Sequence, residues 1–321
     1  YSVLKALTNI IWTPIMNGIS NISLSANWMW PANNLGENTR LFNAVKSISD
    51  FAIQLGINIP TGKDSLSMTQ KYPDGKKVLS PGTVIISAVS EVEDVNKIVR
   101  PNILKAKNSE ILYINLCEDL NISGSAFFQT LSSIGNDVVD TISTDKIKTI
   151  FDTIQNLIID KRIISGHDIS SGGLITSLLE MNFPNTKLGM NLNFDGFSSN
   201  DIIKILFNES PGIIIQAHKS VRNTLKKNKV DFIKLGYVSN RRKFNISFNK
   251  TKIELDIDHF RDSWFKSSSL LDSEQTSHNK SDERFKNYKN QPLKFKFPNS
   301  FLGKIPTNNH TKKIKAAVIR E

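Results

Sequence analysis

Residues 165–180, SGHDISSGGLITSLLE, decide how the rest of the chain is read. Ahead of them, Arg162-Ile163-Ile164 predicts the end of a short buried strand, which leaves His167 and Asp168 at its carboxyl end. Ser170 and Ser171 are residue types that cap helices, and Gly172-Gly173 lets backbone come close to a neighbour. Beyond them Ile175, Leu178 and Leu179 share a face at helical spacing, with Thr176, Ser177 and Glu180 opposite. A carboxylate followed by a glycine-rich helix start suits a metal-bound phosphate. The free N–H groups and positive dipole end face the anion, and Asp168 supplies the hard oxygen that Mg²⁺ prefers. The same residues also describe an ordinary strand–turn–helix with capping serines, and this stretch alone leaves both readings open.

Working outward, strands alternate with helices. Strands are predicted at Ile111–Leu116, Ile213–Gln216, Phe232–Val238, Phe244–Phe248 and Lys252–Ile257. Helices are predicted at Phe127–Ile134, Asp201–Phe207 and Ile147–Ile158, the last with Ile147, Ile150, Phe151, Ile154, Leu157 and Ile158 inward. This alternation indicates an α+β or α/β sandwich. Earlier in the chain, Val3–Ile11 places Leu4, Leu7 and Ile11 on one helical face and Lys5 and Asn9 on another, one turn apart. Asn38–Leu55 reads as an amphipathic helix with Leu41, Phe42, Val45, Ile48, Ala52 and Leu55 buried. Ser25–Gly36, rich in Trp and Asn, reads as a loop in which Trp28 and Trp30 pack and Asn27 is polar lining for a cleft. Pro60–Met68, PTGKDSLSM, leads to a hairpin turned at Pro73-Asp74-Gly75, and Thr83–Val89 reads as a buried strand. The charged run Glu91–Asn108 separates two blocks, and from His259 to Lys313 the chain turns polar and reads as a mostly irregular connector.

Composition narrows the function classes. The 321 residues suit about two domains, and the 39% of apolar residues are spread without a run long enough to span a bilayer. No basic-then-apolar leader opens the chain, so a cytoplasmic protein without a membrane partner is expected. Cys117 is the single cysteine and follows an apolar run, which predicts a buried, inert thiol. The net charge of +11 comes with clusters at Lys226-Lys227-Lys229, Arg241-Arg242-Lys243 and Lys312-Lys313-Lys315. These lack interleaved aromatics and a recognition helix, so solvated surface is expected rather than nucleic-acid binding. His167, His218, His259, His278 and His310 are too scattered to propose a zinc site or a triad.

The second candidate site is Pro60–Met68. Gly62 permits a tight approach, Lys63 offers a point charge for phosphate, and Asp64 and Ser65 offer an acceptor and a hydroxyl. The G-x-x-x-x-G-K-[ST] pattern is absent, so this is not a Walker A loop, and alone it reads equally as a polar turn. Together, PTGKDSLSMTQKYPDGKKVLSPGTVIISA and GHDISSGG resemble the large form of the phosphoribosylformylglycinamidine synthase family, amidotransferases of purine biosynthesis. LSANWMWPANNLGENTRLFNAVKSISDFAIQLGINIP, LFNESPGIIIQ and RDSWFKSSSLLDSEQ...ERFKNYKNQPLKF fit the same family in order, so the resemblance covers essentially the whole chain.

The resemblance implies the second synthetase half of that enzyme. Residues 1–97 would be a partial PurM-like N-terminal domain and 98–258 a PurM-like C-terminal domain. Residues 259–313 would be the connector, and 314–321 the first strand of a glutaminase domain. It implies ATP or ADP and Mg²⁺ as cofactors and formylglycinamide ribonucleotide as substrate. The partners it implies are the missing first half and the glutaminase domain. Matched residue by residue, Asp168 and Asn9 take metal-ligand positions and Ser170 a nucleotide contact beside Gly172 and Gly173. Lys63, Asp64 and Ser65 would line the cleft between the halves. By the resemblance, this nucleotide site would be the structural one of two pseudo-symmetric sites. Three departures stand out: Lys5 where the family has a metal-binding Glu, Ser171 where it has Asp, and Glu209-Ser210 where it has an acidic pair. An ammonium cannot ligate Mg²⁺, so weakened binding of magnesium nucleotide is expected.

Overall fold

The computed structural model describes residues 1–117, 120–137, 142–184, 187–290 and 295–304. The expected opening strand at 314–321 and the cluster Lys312-Lys313-Lys315 lie outside the described residues. Its strands are β1 (Ser23–Met29), β2 (Asn58–Ser65), β3 (Thr69–Lys71), β4 (Lys77–Leu79), β5 (Thr83–Val89), β6 (Ser109–Asn115), β7 (Ile163–Asp168), β8 (Gly189–Asn193), β9 (Gly212–His218), β10 (Ile233–Ser239), β11 (Phe244–Phe248) and β12 (Thr251–Leu255). Its α-helices are α1 (Ser2–Ile10), α2 (Glu37–Leu55), α3 (Ala126–Thr130), α4 (Thr144–Ile159), α5 (Gly173–Glu180), α6 (Ile202–Phe207), α7 (Val221–Lys227), α8 (Ile257–Gln275) and α9 (His278–Asn287).

A seven-stranded sheet in the order β12-β11-β8-β10-β6-β9-β7 organises the larger part. Side chains alternate across it, and both faces are covered, which is why β6 and β9 are apolar almost throughout. Leu112, Ile114, Ile213 and Ile215 point into one core, with Leu4 and Leu7 of α1 and Ile150 and Ile154 of α4. Ile111, Tyr113 and Ile214 point into the other, with Leu174 and Leu178 of α5 and Ile205 of α6. The first core draws on residues from both sides of the charged run at 91–108, so α1 and β1 share their packing with β6, β9 and α4.

Buried polar side chains tie the connections down. Gln216, fully buried in β9, accepts from Leu104 N at 2.9 Å and donates to Leu104 O at 2.7 Å. Gln155 of α4 accepts from Ile15 N at 2.8 Å and donates to Ile11 O and Thr13 O at 2.6 and 3.0 Å. Each satisfies main-chain groups that would otherwise be buried without partners.

The smaller sheet, β2-β1-β5, has one covered face. Here several expectations are corrected. Ser25–Gly36 is not all loop, because β1 runs to Met29 with β2 parallel on one side and β5 antiparallel on the other. Leu24 and Ala26 supply its inward face, and the Asn and Trp content hid that pattern. Pro60–Ser65 is likewise strand β2 rather than a turn. The hairpin does form, as β3 and β4 around Gly75. β5 is half exposed rather than buried: Ile86 and Ala88 reach the core, while Ile85 and Val89 are 50% and 67% exposed. Helix α2 forms as expected, yet only Ala52 and Leu55 are buried, and Phe42 is 67% exposed.

Two further corrections concern helices. The expected helix at Phe127–Ile134 is the short α3, which ends before Ser132 at φ 53°. The polar stretch from His259 is not mostly irregular, because α8 and α9 occupy much of it. Asp256 caps α8 by accepting from His259 N at 2.9 Å, and Phe265 stacks on Tyr288 at 3.9 Å between centroids. Hydrogen bonding to Arg242 holds the Asp258 carboxyl below the usual carboxylate range, and Arg242 and Arg261 both pair with it. Farther on, Gly303 O accepts from Val95 N at 2.7 Å, returning the chain to residues near the charged run.

Candidate functional site

Strand β7 ends at Asp168, which pairs with Ile213 of β9, and the chain then enters α5. Neither Ser170 nor Ser171 caps that helix. The N-cap is Gly172, whose φ of 85° places it in the left-handed region, and Gly173 follows at φ 75°. The side chain that does the capping comes from elsewhere. Glu209 Oε1 accepts from Gly172 N at 2.7 Å and from Ala126 N, at the start of α3, at 2.9 Å. A carboxylate of this chain thus occupies the anion-attracting end of α5. Ser177, fully buried, donates to Asp168 O at 3.0 Å and braces the turn from within.

Helix α1 approaches the same junction. Lys5 Nζ donates to Ile169 O, the carbonyl just after Asp168, at 2.8 Å. Burial pulls the Lys5 pKa below its ordinary value, and the carboxylates of Glu209 and then Asp168 oppose that shift. Asn9 lies one turn along α1 and is exposed. His167 Nδ1 lies 2.7 Å from Asp168 O, and its Nε2 is 3.4 Å from Glu180 Oε2. Trp264 of α8 donates to Glu180 Oε1 at 3.0 Å. Burial raises the Glu180 pKa against the opposing pull of His167. These two side chains line a cavity of about 540 Å³ with Phe183, Arg261, Trp264 and Tyr288.

Lys63, Asp64 and Ser65 sit on β2, where they pair in register with Asn27, Trp28 and Met29 of β1. Lys63 Nζ, exposed, donates to Ser65 Oγ at 2.7 Å. A Cβ on Gly62 would lie 2.4 Å from Ala26 O, so glycine is required for this strand pair to close. Lys63 and Asp64 line an open hollow of about 400 Å³ with Ala26, Trp28, Ile59 and Gly62. Trp28 belongs to that hollow, whereas Trp30 is buried beneath Arg40.

The structure therefore brings Asp168, Ser170, Gly172 and Gly173 to one junction with Lys5 and Glu209. The hollow beside Lys63 contains none of those residues. Glu209 lies 37 residues from Gly172 in sequence, and nothing local in LFNES announces a cap for another helix.

The Mg²⁺ implied at Asn9 and Asp168 meets a poor donor set. Among the described residues, no three His, Cys, Asp or Glu side chains converge so as to hold a metal ion. The Asp168 carboxylate, an exposed amide and a neighbouring ammonium, with Glu209 already engaged by two main-chain N–H groups, do not make the oxygen cage that a divalent ion needs. Also among the described residues, no helix is long and apolar enough to cross a membrane.

Comparison with known proteins agrees with this architecture. Residues 1–91 match the family model described as FGAR-AT PurM_N-like domain, and residues 109–249 match that of the AIR synthase related protein, C-terminal domain. The chain is 37% identical over 220 residues to a probable phosphoribosylformylglycinamidine synthase, chloroplastic/mitochondrial, of Arabidopsis thaliana, covering 67% of the chain and 15% of that protein. It is 38% identical over 228 residues to the phosphoribosylformylglycinamidine synthase of Dictyostelium discoideum, covering 67% of the chain and 17% of that protein. The chain therefore spans less than a fifth of the length of these curated relatives. Its fold resembles Thermotoga maritima PurL complexed with FGAR, with a TM-score of 0.59 at 11% identity, covering 81% of this chain and 42% of that one. On these matches, with PurM-like N- and C-terminal parts in the expected order, the chain belongs to the phosphoribosylformylglycinamidine synthase family.

Proposed function

We propose that this chain is part of an ATP- and glutamine-dependent ligase that converts formylglycinamide ribonucleotide to formylglycinamidine ribonucleotide in purine biosynthesis. The observation that carries this reading is the identity to relatives bearing that enzyme's name along two thirds of the chain. ATP would phosphorylate the amide oxygen of the substrate, and ammonia from glutamine would add at the same carbon and expel the phosphate, leaving the amidine. An amide oxygen departs poorly, and its phosphoryl ester departs readily when cations and N–H donors hold the developing charge.

In this reading Lys63, Asp64 and Ser65 are the groups the chain offers to the reacting phosphate. They lie on an exposed strand beside the open hollow. The apolar groups left uncovered on α2 and β5, Phe42, Ile85 and Val89, suit a surface closed by the other synthetase half. ATP would bring its own Mg²⁺ as counter-ion rather than find one held by Asn9 and Asp168. The junction residues Ser170, Gly172 and Gly173 then belong to a secondary, structural site. The glutaminase would come from a further domain, and the cytoplasm or an organelle would both serve as the compartment.

A second reading, a structural or assembly segment without nucleotide, draws support from Glu209 and Lys5 satisfying the junction internally. Reconstitution separates the two. The chain is mixed with a polypeptide carrying the first synthetase half and the glutaminase, and amidine formation is followed. The ligase reading expects turnover that needs both ATP and glutamine, and a loss of about 100-fold in kcat/KM for Lys63→Ala with an unchanged melting temperature. An assembled but inactive mixture, or full activity in Lys63→Ala, would favour the structural segment.

A further inference from the structure

We propose that the Lys5 ammonium is the resident cation of the α1–β7–α5 junction, so that this junction neither requires nor binds Mg²⁺. The proposal rests on what occupies each polar position. The carbonyl of Ile169, which follows Asp168 directly, accepts from Lys5 Nζ at 2.8 Å. The end of α5 that would welcome a phosphate is closed by Glu209, whose Oε1 takes both Gly172 N and Ala126 N. The groups that act on Lys5 against the effect of its burial are Glu209 first, then Asp168 and Cys117, brought here from separate parts of the chain.

The Ile169 carbonyl and the Glu209 carboxylate are both engaged without an ion. Glu209 takes two main-chain donors, and the Lys5 ammonium offsets one of the two carboxylate charges that act on it. A magnesium ion entering this space would meet a fixed positive charge, and the Ile169 oxygen is already engaged. It would also need about six oxygen ligands in octahedral array at about 2.0–2.1 Å, which this donor set does not offer. A tethered ammonium has a further consequence: the junction stays assembled whatever the concentration of free metal or nucleotide. α1 and β7 are in direct contact, so Lys5 joins the start of the chain to the larger sheet. The inference holds whether or not the ligase reading does, since it concerns cation occupancy alone.

Melting curves of the chain in EDTA and in magnesium chloride test it without substrate. With Lys5 present, the melting temperature is expected to agree within about 1 °C between EDTA and about 10 mM Mg²⁺. Lys5→Glu is expected to melt about 5 °C lower in EDTA and to regain most of that loss as Mg²⁺ is added. Lys5→Met, which fills the space without charge, is expected to show no response to Mg²⁺. Stabilisation of the native chain by Mg²⁺ as large as that of Lys5→Glu would overturn the proposal, as would a Lys5→Glu protein indifferent to Mg²⁺. Should the variants not fold, calorimetric titration of the native chain with Mg²⁺ decides. Absence of saturable heat supports the proposal, and so does heat that survives in Asp168→Asn, which belongs elsewhere. Saturable heat abolished by Asp168→Asn overturns it.

Discussion

Replacing Gly173 by valine should cost about 4 kcal/mol of stability, because two independent penalties coincide there. The residue sits at φ 75°, a region that β-branched side chains adopt only under strain. A Cβ would also lie 2.6 Å from Phe207 C and 2.9 Å from Asn208 O, and these are backbone atoms at the end of α6 that cannot rotate aside. Either α5 or α6 must then move, and both pack on the same core. Gly75→Ala is the control, since Gly75 has φ 82° in the hairpin turn with nothing within 4 Å of a new Cβ. There only the backbone penalty applies, about 1 kcal/mol. Urea unfolding of both variants should show the midpoint shift confined mainly to Gly173→Val. Equal shifts would mean that the close approach of α5 and α6 is not a tight constraint.

The second large effect is expected at Gln155. Gln155→Leu keeps the volume and leaves Ile15 N, Ile11 O and Thr13 O without their partner inside a protein core. Stranding three main-chain groups should cost about 3 kcal/mol, less whatever water can enter to satisfy them. The loss is larger than an exposed glutamine would give because the side chain is buried on α4 and its partners lie on the segment after α1. Chemical denaturation should show a lower midpoint with an unchanged slope. A midpoint shift below about 1 kcal/mol would mean that the segment re-pairs its main chain unaided.

Such long-range ties explain what could and could not be read from residues alone. Helix α4 was legible because Ile147, Ile150, Phe151, Ile154, Leu157 and Ile158 repeat at helical spacing and all reach the core. Strands β6 and β9 were legible as apolar runs because the sheet is covered on both sides. β1 was missed because its strand character comes from two flanking partners rather than from its Trp- and Asn-rich composition. The apolar stripe of α2 was visible, yet the stripe says which side is greasy and not whether anything in this chain covers it. Phe42 shows that for much of its length nothing described does.

The candidate site divides in the same way. The turn after β7 was apparent from its carboxylate and two glycines, and the position of Asp168 at the strand end follows from the apolar run before it. That the serines would not cap α5 was not legible, because the competing carboxylate of Glu209 arrives from 37 residues away. Lys5 stood out as a departure from the family's metal-binding Glu, and its partner carbonyl was not legible. Its reach to Ile169 spans 164 residues of sequence.

The proposed function has this chain meet phosphate through exposed β2, while Glu209 and Lys5 engage the turn after β7 from within. Amide hydrogen exchange on the chain assembled with its complementary half, with and without substrate and ATP, tests it most directly. The account predicts new protection across Asn58–Ser65 and no change at Gly172, whose N–H is held by Glu209. Protection of Gly172 and Gly173 by nucleotide and magnesium, with β2 unchanged, would contradict it.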